Sequence, residues 1–148
     1  MFLFQNDWTA KTNEVLATND LKVNIQAESN YYPSTNGLYL HTEAEFLEDL
    51  SGGQYNMTVY LLEDEIHDYQ DSVGTYLPYY KHHNVFRGCF DGLPWGRSIN
   101  SDYAAGSKTY LDYSYALPAD KTNEDYHLLI YVYDVATYEI LQVIKEDF

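Results

Sequence analysis

Alternation of apolar and polar residues is the dominant pattern of this chain, and it predicts a protein built mainly from β-strands. From residue 21 to residue 28 every second side chain is apolar, as in a strand with one face in a core and the other in water. The same period recurs in six later segments, which turn-forming Gly, Pro, Asn and Asp residues separate. The predicted strands lie near residues 21–28, 38–46, 55–61, 83–91, 108–117, 126–134 and 139–146.

A helical period occurs only at the N-terminus. Trp8 and Val15 fall on one side of a helix, and Asp7 before them is a suitable N-cap. We therefore expect residues 1–20 to form a helical lead-in and residues 21–148 to form a single compact β-sandwich domain.

The strand pattern favours an antiparallel sandwich of two sheets. Residues 65–81 carry Gly74, Pro78 and several tyrosines without a clean period, so we expect a long loop there. Seven short strands with no helices between them are typical of a sandwich rather than a parallel α/β sheet. An immunoglobulin-like topology is the first expectation and a jelly-roll-like one the alternative, because periodicity does not reveal strand order.

The charge of the chain restricts its partners. Asp and Glu number 23 against 8 Lys and Arg, which gives a formal net charge of -15. Such a surface repels a phosphate backbone or an anionic bilayer, so nucleic acid is not an expected partner. The acidic residues are expected to form a solvated coat for the most part.

Several classes of chemistry lack a sequence signal. Cys89 is the only cysteine, which excludes an intrachain disulfide and a cysteine-rich metal site. The apolar run at residues 1–4 is much shorter than a signal-peptide core or a membrane span, so direct membrane insertion is not expected. The linear motifs of serine hydrolases, phosphate loops, zinc proteases and dinucleotide-binding enzymes are absent. A non-enzymatic domain is therefore the expectation.

An acidic tract after the third strand is a candidate calcium site. Ca²⁺ prefers clustered carboxylate oxygens, and Glu63, Asp64, Asp68 and Asp71 lie close together in the sequence. The tract does not fit an EF-hand, because the sixth position counted from Asp64 is Tyr69 where that loop needs glycine. Calcium is the one possible cofactor, and a solvated charged loop is the alternative.

Tyrosine is unusually frequent, with 17 residues. Strands use tyrosine for packing, but exposed tyrosine rings also stack on sugars or anchor protein partners. The tyrosines of the irregular segment are the better candidates for recognition, since functional side chains concentrate in loops. The candidate ligand-binding residues are Tyr69, Tyr76, Tyr79 and Tyr80.

The segment K-H-H-N-V-F-R-G-C-F-D-G-L-P-W-G, residues 81–96, concentrates aromatic, glycine and proline residues. Phe86 and Phe90 share one face of the predicted strand and are expected to enter the core. Gly88 between them allows a neighbouring group to approach.

The other side chains of this segment also have predicted structural roles. Arg87 points to the opposite face and is expected to form a salt bridge with the acidic tract. Trp95 is expected to cap one end of the core, and Gly92 and Gly96 to supply the tight turns around it.

This segment resembles the His-Asn-x-Val-(Leu/Phe)-Arg-Gly…Gly-x-Trp-Gly signature of a bacterial surface lipoprotein family. The family is named for a 28-kilodalton outer-membrane antigen and is common in Bacteroidetes. Weaker similarity at Y-L-L-E-D and at Ile140-Leu141-Gln142 extends the resemblance over nearly the whole chain. The signature residues are Asn84, Phe86, Arg87, Gly88, Phe90, Gly92, Trp95 and Gly96.

The chain departs from the family pattern at two points. The family more often has another residue between Asn84 and Val85, and Pro94 is an insertion before Trp95.

The resemblance implies a sandwich domain of a surface lipoprotein in the cell envelope, at the outer-membrane surface or in the periplasm. It also implies a lipid anchor upstream of Met1 and, in many members, a thioredoxin-like region. The leading hypothesis is a non-enzymatic module with a structural or partner-recognition role, whose partner is a protein or a glycan. A carbohydrate-binding module that uses the tyrosine-rich loop is the alternative, and a calcium-stabilised domain is the second alternative.

Overall fold

Strand pairing confirms the antiparallel β-sandwich. The structure, a computed structural model, describes residues 5–17, 20–99, 102–118 and 125–148. Within these ranges one helix, α1 (Gln5–Ala17), precedes ten strands. The strands are β1 (Val23–Tyr32), β2 (Gly37–Phe46), β3 (Tyr55–Glu63), β4 (Ile66–Ser72), β5 (Thr75–His82), β6 (Val85–Cys89), β7 (Arg97–Ser98), β8 (Lys108–Ala116), β9 (Tyr126–Asp134) and β10 (Ile140–Asp147).

The strands form two main sheets and a separate hairpin. Sheet A has the order β1-β2-β8, and sheet B has the order β10-β9-β3-β6, with β7 also paired to β3. Strands β4 and β5 pair only with each other in the described part of the chain. Every pairing is antiparallel. The central pair of sheet B, β3 and β9, joins distant parts of the chain.

One hydrophobic core lies between the two sheets. Strand alternation turns every second residue inward, so β3 and β9 contribute apolar side chains that face those of β2. Side chains with at most 2% exposure fill this space; they include Leu38, Leu40, Phe46, Met57, Val59, Leu61, Leu128, Ile130 and Val132. The alternation in the sequence therefore identified the residues that stabilise the fold.

Side chains connect the sheets where β1 and β10 approach each other. Gln142 Oε1 accepts a hydrogen bond from the backbone N–H of Ile25, and Ser29 Oγ donates to Glu146 Oε1 at 2.8 Å. The first of these bonds occupies a backbone donor at the edge of sheet A that would otherwise be open to another strand.

The prediction of a long loop at residues 65–81 is wrong. This segment is the β4–β5 hairpin, with a bulge between Asp68 and Gln70. Its turn places Val73 at φ 52° and Gly74 at φ 80°, the two positive values that a tight type I′ turn needs. The hairpin was missed because the bulge interrupts the alternation and valine is rare at positive φ.

The prediction that Phe86 enters the core is also wrong, because its side chain is 53% exposed on the outer face of sheet B. A bulge between Leu61 and Leu62 shifts the register of β6 against β3. Strand β6 then ends at Cys89, and Phe90 begins a short 3₁₀ turn. Phe90 is buried in the core at 2% exposure, so the two phenylalanines do not share an environment.

Gly88 and Trp95 of the same segment also have definite positions. A Cβ on Gly88 would lie 2.9 Å from Tyr115 Oη, which is the close approach expected there. Trp95 does not cap the core, and this prediction is wrong: its side chain is 64% exposed and its ring contacts Tyr138. The turn that carries Trp95 passes over the outside of sheet B instead of over the end of the sandwich.

Helix α1 leaves its apolar side chains in solvent. It begins two residues before Asp7, so Asp7 lies in the first turn rather than at the N-cap. Trp8 and Val15 are exposed, and α1 makes no extensive contact with any described strand. No described helix has the length and apolarity needed to span a bilayer. The division of the chain into residues 1–20 and 21–148 stays a prediction.

Candidate functional site

Six aromatic side chains form a continuous row over the outer face of sheet B. Neighbouring ring centroids along the row are 5.1 to 6.3 Å apart. We name this row the aromatic belt; its members, in order, are Phe86, Tyr60, Tyr131, Tyr133, Tyr138 and Trp95. Aromatic contacts at such distances favour edge-to-face and offset geometries, which stabilise the row beyond simple burial.

Strand alternation and strand pairing together create the belt. On β9, Tyr131 and Tyr133 alternate with the core residues Ile130 and Val132. Tyr60 lies on the same outer face of the adjacent strand β3, and its hydroxyl accepts a hydrogen bond from Tyr131 Oη at 3.0 Å. Burial, followed by this hydrogen bond, raises the pKa of Tyr60.

The turn before β7 is fixed to sheet B by side-chain hydrogen bonds. Tyr60 Oη donates to the carbonyl of Pro94 at 2.8 Å. The carbonyl of Trp95 accepts from Tyr133 Oη and from Asn56 Nδ2, each at 2.9 Å. The belt hydroxyls therefore hold the backbone that presents the Trp95 ring. Such preorganisation reduces the entropy lost when a ligand binds.

A recess of about 120 Å³ lies at the end of the belt beside β10. No ionisable acid or base lines it apart from tyrosine hydroxyls. Its lining residues are Trp95, Tyr131, Tyr133, Tyr138 and Ile140. Three of them, Trp95, Tyr138 and Ile140, are more than half exposed, so the recess opens directly to solvent. A neutral aromatic recess on so acidic a chain is a candidate binding site.

The four tyrosines proposed from the sequence all lie on β4 or β5, but they do not form one platform. Tyr69 and Tyr76 stack with ring centroids 6.0 Å apart and planes at 27°. The ring centroids of Tyr80 and His82 are 4.9 Å apart. Tyr80 also lines a recess on the hairpin that Tyr69 and Tyr76 do not line. Tyr79 is the most exposed of the four, at 86%. Their role as a ligand site stays a prediction.

The carboxylates proposed for calcium do not converge. Asp68 Oδ1 accepts from the backbone N–H of Tyr69, and Asp71 Oδ1 accepts from the backbone N–H of Gly74. No group of three His, Cys, Asp or Glu residues able to hold a metal ion occurs in the described ranges. The predicted set Glu63, Asp64, Asp68 and Asp71 is not such a group, and calcium binding by it stays a prediction.

Glu63 has a structural partner within the signature segment. Its side chain is almost fully buried, and its Oε2 accepts from Arg87 Nε at 2.5 Å. Arg87 is thus the residue that joins β6 to the start of the acidic tract, as expected from its position. A buried carboxylate needs such a partner, since an uncompensated buried charge is strongly destabilising.

Asn84 is the centre of a second network, in which Asn84 is exposed and His127 is buried. It takes a positive φ of 55°, and its backbone N–H donates to Asp64 Oδ1 at 2.7 Å. His127 is buried; its Nε2 lies 3.0 Å from Asn84 Oδ1, and its Nδ1 lies 3.2 Å from Asp64 Oδ2. The backbone hydrogen bond from Asn84 is the main cause of the lowered pKa of Asp64. The asparagine of the signature thus has a clear structural role.

This network predicts a loss of stability on mild acidification. Burial lowers the pKa of His127 although Asp64 opposes the shift. As the pH falls below about 6.5, the ordinary histidine value, the unfolded chain takes up a proton before the folded one. Stability should therefore fall by at most about 1.4 kcal/mol per pH unit until the folded His127 also protonates. Urea unfolding between neutral and mildly acidic pH measures this slope.

His127→Gln is the test variant for the pH effect, and His67→Gln on the exposed hairpin is its control. The His127 variant should flatten the slope in this window, while the His67 variant should retain it. The lowered pKa of Asp64 adds a separate loss only at lower pH, as the pH falls through the ordinary value for an aspartate. An unchanged slope in His127→Gln would contradict the assignment to His127.

The comparisons with known proteins agree with this architecture. A domain of the outer membrane lipoprotein Omp28 from Porphyromonas gingivalis is similar to this chain, with 25% identity and a TM-score of 0.59. The match covers 86% of this chain and 95% of that one. No curated protein matches the chain.

A second solved structure, HBP35 of Porphyromonas gingivalis, has the same fold, with a TM-score of 0.76 and 14% identity. The match covers 94% of this chain but only 45% of the other, so the chain spans less than half the length of that protein.

The family comparison covers almost the whole sequence. The model of the family described as outer membrane protein Omp28 matches residues 3–148, which include the signature segment and both sheets. The chain therefore belongs to the Omp28 outer membrane protein family, a group of cell-envelope proteins.

Proposed function

We propose that this domain is a non-enzymatic recognition module of an outer-membrane lipoprotein and that the aromatic belt is its binding surface. The observation that carries the proposal is the exposed pair Trp95 and Tyr138, with ring centroids 5.8 Å apart, on a hydrogen-bonded support. Tryptophan and tyrosine on a rigid, partly dehydrated surface are the typical anchors of recognition interfaces.

Catalysis has less support among the described residues. The buried imidazole of His127 has side chains within hydrogen-bonding distance of both nitrogens, so neither is available as a general base. The belt recess contains no carboxylate, imidazole or amine. Its chemistry suits contact with a ligand rather than bond cleavage.

Carbohydrate recognition at the hairpin is the second candidate. The near-parallel rings of Tyr69 and Tyr76, both more than 60% exposed, provide two adjacent faces on which sugar rings could stack. The hairpin differs from the belt in that no described strand of sheet A or sheet B pairs with it, so its rings have less support from the sheets.

Photocrosslinking in the cell envelope tests the proposed function. p-Benzoylphenylalanine replaces Tyr138 in the full-length lipoprotein, and in a matched protein it replaces Tyr110, an exposed tyrosine on sheet A. We expect a discrete crosslinked product from position 138 that is absent from position 110 and is lost when Trp95→Ser is added. No product from position 138, or the same product from both positions, would refute a role for the belt.

A further inference from the structure

We infer that the ligand of the belt recess is a cationic polypeptide segment of a partner protein, with one apolar side chain seated between Trp95, Tyr138 and Ile140. Lysine or arginine residues on either side of that anchor would lie over the exposed rings. This inference rests on the proposed function of the belt and adds the chemical class of its ligand.

Ring orientation favours a polypeptide anchor over a sugar chain. The planes of Trp95 and Tyr138 make an angle of 54°, and at the other end of the belt Tyr60 lies at 79° to Phe86. Tyr133 and Tyr138 are nearly parallel, at 9°, but Tyr133 is buried. The exposed rings of the belt therefore do not form a flat platform for consecutive pyranose rings. A shaped apolar recess instead fits a single branched or aromatic side chain, as in the central anchors of protein interfaces.

Exposed aliphatic side chains extend the same surface. Ile140 at the start of β10 lines the recess, and Val143 on the same strand is half exposed. Val143 is paired with Tyr131, so it lies next to the belt. Aliphatic groups offer a sugar neither stacking nor hydrogen bonds, whereas they bury well against apolar peptide side chains.

The charge around the recess favours a cation. No lysine or arginine lines the recess. The cationic residue nearest to Trp95 in the sequence is Arg97, whose guanidinium is held by Asp91 at 2.5 Å and by the Tyr113 ring at 4.3 Å. Arg97 is therefore already engaged by other groups of the domain.

The rings themselves also attract cations. The face of an aromatic ring carries negative potential, so lysine or arginine over Trp95 or Tyr138 gains a cation–π interaction. The net charge of -15 increases the local concentration of a basic segment and steers its approach. The same charge repels a second copy of this chain, which argues against self-association through the belt.

Peptide binding to the full chain tests the ligand class. The probe is a labelled peptide of Gly-Lys-Leu-Lys repeats, and matched peptides replace every Leu by Ser or every Lys by Glu. A neutral β-glucan oligosaccharide is the glycan arm. Fluorescence anisotropy should show binding of the Lys-Leu peptide, weaker binding of the Lys-Ser peptide, and no binding of the Glu-Leu peptide or the glucan.

Paired variants separate the belt from general attraction by the acidic surface. The double variant Trp95→Ser, Tyr138→Ser should lower the affinity for the Lys-Leu peptide at least about tenfold, which corresponds to about 1.4 kcal/mol of binding free energy. Tyr39→Ser with Tyr110→Ser, two exposed tyrosines on sheet A, should leave its affinity unchanged. Equal weakening in both pairs would show only non-specific electrostatic binding and would overturn the inference.

Tryptophan fluorescence gives a second readout that needs no belt variant. The chain has two tryptophans, so Trp8→Phe leaves Trp95 as the only one. Binding of the Lys-Leu peptide should shift its emission to shorter wavelength as water leaves the recess, while an unchanged spectrum at saturation contradicts the inference.

The outcomes distinguish the ligand class from the proposed function. A crosslink from position 138 without peptide binding would refute the cationic-peptide ligand and retain the belt as a recognition surface. Binding of the glucan in place of the peptide would assign the belt to a glycan. Loss of both the crosslink and peptide binding would refute both proposals.

Discussion

Replacing Gly96 with alanine is expected to destabilise the protein by on the order of 3 kcal/mol, from backbone strain and lost hydrogen bonds. Gly96 has a φ of 69°, and an added Cβ would lie 2.1 Å from the backbone oxygen of Met57. The turn would have to lift from β3, which breaks the hydrogen bonds that Asn56 and Tyr133 donate to the carbonyl of Trp95.

Thermal unfolding measures this effect. At about 2–4 °C per kcal/mol for a chain of this size, the melting temperature of Gly96→Ala should fall by roughly 6–12 °C. Gly106→Ala is the matched control, because Gly106 also has a positive φ of 82° but no atom lies within 4 Å of its added Cβ. The control should show only the cost of the backbone conformation, about 1–2 kcal/mol. Equal losses in both variants would contradict the close contact between Gly96 and β3.

Replacing Phe46 with alanine is expected to lower the free energy of unfolding by about 3–5 kcal/mol. Phe46 is fully buried between the sheets, and its ring centroid lies 5.7 Å from that of Tyr55 and 5.2 Å from that of Tyr103. Truncation removes apolar contacts and leaves a cavity that the surrounding strands cannot close completely. Urea unfolding should show a lower midpoint with an unchanged slope.

Phe86→Ala is the matched control for Phe46→Ala, with the same atoms removed from an exposed site. Phe86 is 53% exposed and makes one edge-to-face contact, with Tyr60, so its loss should cost about 1 kcal/mol. A loss of stability similar to that of Phe46→Ala would show that Phe86 is in the core, as its position on the same predicted strand face as Phe90 suggests. The pair thus tests the largest difference between the sequence prediction and the structure.

The Gly96 variant also concerns the proposed binding surface. Gly96 permits the close passage of the turn over β3, and that turn presents Trp95. A stable protein with a displaced turn should keep its fold but lose the recess beside Tyr138. Peptide binding by Gly96→Ala should therefore fall even at temperatures where the variant remains folded.

Strand existence could be predicted because alternation is a local property. The inward positions of β2, β3 and β9 are mostly apolar and the structure buries them, although β3 and β9 also bury some residues of the other face. The prediction failed where a bulge interrupts the period, as between Asp68 and Gln70 in the hairpin. A bulge adds one residue to one strand only, and no residue type marks its position reliably.

The candidate site was less accessible to sequence reasoning than the fold. Tyr131 and Tyr133 were recognisable as outward residues of one strand, but the sequence interpretation assigned them only to sheet packing. Their neighbour Tyr60 is 71 residues away from Tyr131, and the pairing of β3 with β9 brings them together. The exposure of Trp95 was mispredicted because a large apolar residue at a turn is usually assigned to the core.

The amino-acid sequence by itself determined the sandwich class, the acidic character and the membership of an outer-membrane family. These depend on the period of apolar residues, on composition and on a short motif, all of which can be read locally. Only the tertiary structure decided that Phe86 is exposed while Phe90 is buried, and that six rings from separate parts of the chain form one belt. Which side chains meet depends on strand register and order, and these are set by pairing between remote segments rather than by local pattern.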